Sequence, residues 1–276
     1  MTLEAMMTGT DRSSEVATDG GRVQLAIADL TSTLTNDFDL PAMLHSVAEH
    51  ARVCFGASTV VVLLLDRRAP GRGVVHIVAE AASEGHSVDP RFHTSGPGLM
   101  SASESAVAMV DDLAHADDTR WPEYRERATA AGLRGMRAFP VSALGVPLGS
   151  IVVHTEDPWG DARPRSFGQI LADLTAIGLA SGTVDGRRLS TSDAVDSVLR
   201  GSATIAAAVG ILTEYLRLEP DIARLRLNRL ARARGLTVTA QARMIVDAHN
   251  SSPGDLERTG VLSPANVSSA RLIGRD

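Results

Sequence analysis

The histidines, the one cysteine and two acidic doublets are the side chains that could carry metal, nucleophilic or thiol chemistry in this 276-residue chain. Their spacing sets up none of these. His45 and His50 stand five apart on a predicted helix and do not share the i, i+4 face that a pair of metal ligands needs. His76 falls in a predicted strand and reads as a sheet-face or core histidine. His86, His93, His115 and His154 lie at or near loops, with no Ser or Cys partner at motif spacing. Asp111-Asp112 and Asp117-Asp118 have the chemistry to chelate a cation, but acidic loop residues are ordinarily just solvated. Cys54 sits beside Phe55 on the apolar side of a helix and reads as a small core residue. A single cysteine excludes an intramolecular disulfide and a Cys-rich zinc site. Gly96-Pro97-Gly98 and Gly71-Arg72-Gly73 read as turns, and no P-loop or dinucleotide-type glycine motif is present. The expectation is a protein without a catalytic or metal centre.

The elements around these residues divide the chain. A polar leader (1–20) is expected to be disordered. Val23, Ile27, Leu30 and Leu34 recur at helical spacing. A second helix starts near Leu40, with Asp39 as its N-cap and Pro41 in its first turn, carries Leu40, Leu44, Val47 and Ala51 on one face, and stops before Gly56. Thr59–Leu65 is an unbroken aliphatic run that reads as a buried central strand. Strands follow at 74–81 and 107–110, then a helix from Trp121 to Ala131. Strands Met136–Ser142 and Leu148–Thr155 are joined through Gly145 as a hairpin, and a helix runs from about Ser166 to Ser181. This is an α+β domain, an antiparallel sheet flanked by helices, over 22–181. A linker at 182–193 leads to an all-α three-helix domain at 194–249, with helices at 194–217, 221–234 and 238–248. The tail 250–276 lacks periodicity and is expected to be disordered.

Composition agrees with a globular protein: 44% of residues are hydrophobic and 22% charged. The net charge of −6 argues against nucleic-acid binding by the whole surface. All 27 basic residues are arginine, a skew that fits GC-rich codon usage. The N-terminus lacks a signal-peptide pattern and no apolar run approaches the about 18 residues needed to cross a bilayer, so a cytoplasmic protein is expected.

In the first helix of the all-α region, Val195, Val198, Ser202, Ile205, Val209, Leu212 and Leu216 are spaced alternately three and four apart. That is a heptad-type seam suited to pairing two chains, or the core face of a three-helix bundle. A second edge, Ala208, Ile211 and Tyr215, remains to pack on the two helices that follow. On the next helix Ala223, Leu227 and Leu230 share one face, with Arg224, Asn228, Arg229 and Arg232 opposite. A basic face of this kind meets phosphates or is simply solvated. From Asp196 to Asn250 eight arginines face five acidic residues, a local balance of +3.

Residues 194–249, with ATIAAAVGILTEYL, PDIARLRLNRLARARGL and ARMIVDAH, resemble the ANTAR domain, an output module that binds hairpins in nascent RNA and opposes transcription termination. Residues of about 40–181, with DDLAHADDTRWPEYRERATAAGLRGMRAFPV and GVPLGSIVVHTEDP, resemble a GAF domain. The combination is similar to GAF–ANTAR regulators of the actinobacterial type. The resemblance implies a dimeric, signal-responsive antitermination regulator. An unidentified small molecule or protein signal would act at a GAF pocket between the sheet and its inserted segment, around residues 85–130. RNA hairpins would meet Arg200, Ala208, Gly210, Arg224, Asn228, Arg229 and Arg232. Ala208, Gly210, Ile211 and Leu212 keep the ANTAR pattern, whereas Ala207, Val209, Arg224 and Asn228 replace its amide, lysine, aromatic and basic positions. Either neighbouring arginines supply another RNA contact set, or the domain pairs chains and has lost RNA binding. Some GAF-like proteins reduce methionine sulfoxide with paired cysteines; with Cys54 alone, neither that chemistry nor bilin attachment is expected.

Overall fold

The computed structural model describes residues 20–34, 39–66, 73–87, 89–93, 95–115, 119–161, 163, 165–181, 183–184, 187–188, 191–252 and 255–263. The leader 1–19 and residues 264–276 of the expected tail lie outside them, as do Asp117 and Asp118. Two compact units divide between Leu199 and Arg200.

The first unit opens with helix α1 (20–34), whose Ala26 and Leu30 are buried, and helix α2 (Leu40–Phe55). Asp39 stands at the N-cap of α2 without a side-chain capping bond, and left-handed Gly56 ends it. Next come β1 (Thr59–Asp66), β2 (Val74–Ala82), α3 (Pro97–Glu104), β3 (Ala108–Val110), α4 (Pro122–Ala130), β4 (Gly135–Ala143), β5 (Val146–Thr155) and α5 (Arg165–Ser181). The five strands form one antiparallel sheet in the order β2-β1-β5-β4-β3. β1 is apolar from Val60 to Leu65 because both its faces are covered. Val60, Val62 and Leu64 join the core shared with α2 and α5, and Val61 and Leu63 join the core under the inserted segment. Leu144 and Gly145 join β4 to β5 with φ of 50° and 77°, the paired positive values of a tight two-residue hairpin turn.

Gly96-Pro97-Gly98 is not a turn. Gly96 and Pro97 open α3, and the periodicity was hidden because PGLMSASE is short and half small residues. A Cβ at Gly98 would lie 2.9 Å from Val152 and 3.0 Å from Leu63, so glycine lets α3 lie directly on the sheet. Buried Ser101 and Ser150 tie the two together, donating to Ala138 O at 3.2 Å and Gly98 O at 2.9 Å.

The stretch expected to be a linker holds a small hairpin, β6 (Thr183–Val184) with β7 (Arg187–Arg188), and α6 (Thr191–Leu216) begins inside it. Over Asp193–Leu216 α6 is long and apolar enough, by length and composition, to cross a membrane. This corrects the expectation that no such run exists, which overlooked how far alanine and glycine extend it. Its larger apolar side chains, Val195, Val198, Ile205, Val209 and Leu212, are nonetheless buried in the chain's own cores.

The second unit contains the remainder of α6, α7 (Pro220–Arg234) and α8 (Val238–Ser251). Thr237 caps α8 by accepting from Ala240 N at 3.1 Å, and left-handed Gly235 closes α7. The expected disordered tail is corrected at 255–263. There Leu256, Val261 and Leu262 are buried with Leu212, Leu227, Leu230 and Ile245. Three side chains hold this segment by its carbonyls: Arg226 to Leu262 at 3.2 Å, Gln241 to Val261 at 2.9 Å, and Arg234 to Ser263 at 3.1 Å and to Gly260. An irregular segment fixed through its backbone carries no periodic signature.

Candidate sensing site and output face

The inserted segment between β2 and β4 covers one face of the sheet, where a pocket was expected. Phe92, Ala108, Val110, Leu113, Tyr124, Ala128 and Leu133 pack there on Val61, Leu63, Met136, Ala138 and Val152. Set in this apolar layer is a polar cluster. His154 of β5 is 1% exposed, His93 3% and Tyr124 4%. The Tyr124 hydroxyl lies 2.6 Å from His154 Nε2, and the Thr59 hydroxyl 3.1 Å from His154 Nδ1. One neutral imidazole satisfies both contacts, donating through one ring nitrogen and accepting through the other. The rings of His93 and His154 stand 6.1 Å apart, and Phe92 meets both, as well as Tyr124, edge-on or nearly so.

Burial holds both imidazoles neutral. Desolvation lowers the His93 pKa to about 4. It also lowers that of His154, to about 3, with the neighbouring His93 adding to the effect. Burial likewise raises the Tyr124 phenol, which stays protonated and able to donate. Unfolded histidines take up protons near pH 6.5, well before these do. The stability that this contributes is complete above pH 6.5 and is lost as the pH falls toward 4. His93 alone should lower the unfolding free energy by about 2 kcal/mol between pH 7 and pH 5. Urea midpoints at the two pH values measure this, and equal midpoints would refute the buried neutral pair.

The loop that leads into α4 is fixed by charge. Arg134 grips Asp112 with two bonds, of 2.7 and 2.6 Å, which brings the carboxyl down to about pKa 2. Arg125 donates to the Asp112 and His115 carbonyls. Asp111 pairs with Arg137. Both residues of the first acidic doublet thus pair with arginines, and no group of three potential metal ligands occurs among the described residues.

His154 is the next-to-last residue of β5, beside the loop that follows it. The strand expected at Leu148–Thr155 already contains it, and strand alternation from buried Val152 aims it at the insert. His93 and Tyr124 carried no local signal, since only the tertiary fold brings them to β5. Cys54 is half-buried against the first core.

In the helical unit most residues of the expected seam are buried among the chain's own side chains, the core-face alternative for the same spacing. Val195 and Val198 belong to the first core, and Ile205, Val209 and Leu212 to the second, with Leu216 packed against it. Ser202 is half-buried. The spacing was read correctly, but two successive cores of one chain give the same spacing as a seam between chains. Among the expected RNA contacts, Ala208 is fully buried and faces α7 and α8 as core. Arg200, Gly210, Arg229 and Arg232 are exposed, and Arg224 and Asn228 are half-buried.

An antiparallel sheet in the order β2-β1-β5-β4-β3, helices α2 and α5 on one face and an irregular insert on the other, define an α+β sensor-type domain. The chain belongs to the GAF family: the GAF domain model matches residues 39–179, just over half of its length. Membership suggests ligand sensing or signalling. No curated protein matches the sequence. Solved structures with a similar fold include the chromophore-binding domain of a bacteriophytochrome from R. palustris (14% identity, TM-score 0.44, 57% of this chain and 60% of that one). Others are a free methionine-R-sulfoxide reductase from Neisseria meningitidis (17%, 0.43, 56% and 87%) and a phycoerythrobilin-bound GAF domain of a cyanobacterial phytochrome (14%, 0.46, 57% and 94%). The chain thus spans about 60% of the length of the bacteriophytochrome domain.

Proposed function

We propose that this protein is a cytoplasmic, homodimeric, signal-responsive regulator rather than an enzyme. In this reading the GAF unit takes a ligand or partner on its insert-covered face, and the helical unit is an ANTAR-like output that binds RNA hairpins and opposes termination. The observation that carries the output reading is the outer face of α7, where Arg229 and Arg232 are exposed on the side away from buried Ala223, Leu227 and Leu230. Guanidinium groups on a helix face bind phosphates in bidentate fashion and release counterions on doing so. On the sensor side, the neutral His93–Tyr124–His154 cluster offers hydroxyl and imidazole groups under a cover of loops. A ligand there alters output only by unequal affinity for two states of the chain.

A second reading has its own observation: Ile222 and Leu225 are each 50% exposed on α7. Apolar side chains among the arginines suit a protein partner, with RNA binding lost. Titrating the full chain with a two-hairpin RNA at about 50 and about 200 mM salt separates the two. On the RNA reading binding weakens with salt, and Arg229→Ala with Arg232→Ala cuts affinity by about tenfold and the salt slope by about two. Absence of binding at the lower salt would leave the protein-partner reading.

A further inference from the structure

We propose that a cleft at the β3 edge of the sheet binds a small monocarboxylic acid with a compact apolar body. The cleft has a volume of about 240 Å³ and is lined by Val107, Met109, Asp111, Arg137, Phe139, Trp159 and Gln169. It lies on the α5 face of the sheet. Arg137 alternates with Met136 and Ala138, which face the insert, so the site is distinct from the His93–Tyr124–His154 cluster.

Three features point to the ligand's chemistry. The first is a buried cation with a dispensable partner. The Arg137 side chain is 8% exposed, its guanidinium stacks 4.9 Å over the Trp159 ring, and it donates to Met136 O at 3.0 Å and to Asp111. The Asp111 side chain is 79% exposed, so returning it to water costs little, whereas Arg137 needs an anion beside it. The second is an unanswered donor. Trp159 is 1% exposed, and its buried indole N–H has no acceptor among the described residues. The third is apolar wall left open to water: Val107 is 42% and Met109 53% exposed.

The Arg137 guanidinium is the charge a carboxylate would pair with, and the unanswered indole N–H belongs to a residue that lines the same cleft. A phosphate dianion would ask for more donors than the cleft holds, and a neutral molecule would leave Arg137 with Asp111. The volume is below the range of drug-sized pockets, which limits the apolar part to roughly one ring. The walls are preformed, because Arg163 stacks on Trp159 from 5.3 Å and donates to Phe55 O at 2.9 Å, to Pro158 O at 3.1 Å and to Asp157 at 2.6 Å.

Benzoate is the probe, and the indole N–H signals of the ¹⁵N-labelled full chain are the readout. The chain has two tryptophans, and Trp121→Phe assigns the signal of Trp159. Benzoate should shift that signal saturably, and both benzyl alcohol and acetate should bind at least about tenfold more weakly. Arg137→Gln should abolish the shift. Asp111→Asn removes the competing carboxylate and should tighten benzoate by about threefold; with its fold verified by circular dichroism, it decides the matter if the Arg137 variant does not fold. A Trp159 signal unmoved by benzoate, equal affinity for benzyl alcohol, or unchanged affinity in Asp111→Asn would each overturn the site.

Discussion

Gly149→Ala is expected to cost the GAF unit its native sheet. Gly149 of β5 pairs with Leu64 of β1 and Val141 of β4, at the centre of the five strands. A Cβ built there would overlap the Leu63 carbonyl oxygen and crowd the Leu64 backbone. The obstruction is main chain of a central strand, so no rotamer change relieves it. The β4–β5 pairing has a register irregularity beside this point, at Val141/Ser142, and the β1–β2 pairing has one at Val62/Leu63. Overpacking of this kind costs about 1–3 kcal/mol, toward the upper end where main chain must move. Urea unfolding followed by circular dichroism should show the first unit's transition shifted to much lower denaturant or absent. A wild-type midpoint would mean that the strands separate without cost.

The second large effect falls in the helical unit. Leu212→Ala removes a side chain that is fully buried in its core. Alanine is the better helix former, so the loss is one of packing and leaves a cavity, for about 2–5 kcal/mol. Because Leu212 is buried within one chain, the loss should not depend on protein concentration. Thermal melts of wild type and variant at two concentrations a hundredfold apart test this. A Tm decrement that vanishes at the higher concentration would restore the interchain seam that the heptad spacing suggested.

That seam shows where sequence reading stops. Periodicity locates α1, α2, α5 and the strands β1, β2, β4 and β5, because each has a face or a run of apolar residues long enough to repeat. It also finds the positions Val195 to Leu216, since spacing depends on the chain alone. What covers those positions depends on the fold, and the same three-four spacing serves two intramolecular cores. α3 was missed for the opposite reason: glycine, alanine and serine there permit close approach to the sheet and leave no apolar stripe. The candidate sensing cluster joins residues 59, 93, 124 and 154, drawn from β1, the segment before α3, α4 and β5. No local pattern announces such a meeting. The Arg137 cleft was equally hidden, because its cation, its indole and its apolar wall come from β4, the loop before α5, and β3.

The segment at 255–263 bears on the order in which the molecule is made. A ribosome delivers α6, α7 and α8 before it delivers Leu256, Val261 and Leu262, so the three helices exist for a time without part of their common interior. During that interval Leu227, Leu230 and Ile245 face an incomplete core, and Arg226, Gln241 and Arg234 have no carbonyls to hold. The nascent helical unit therefore exposes part of its core until this segment arrives, a state open to chaperones and to aggregation. Expression of a chain cut after α8 would hold the protein at that stage.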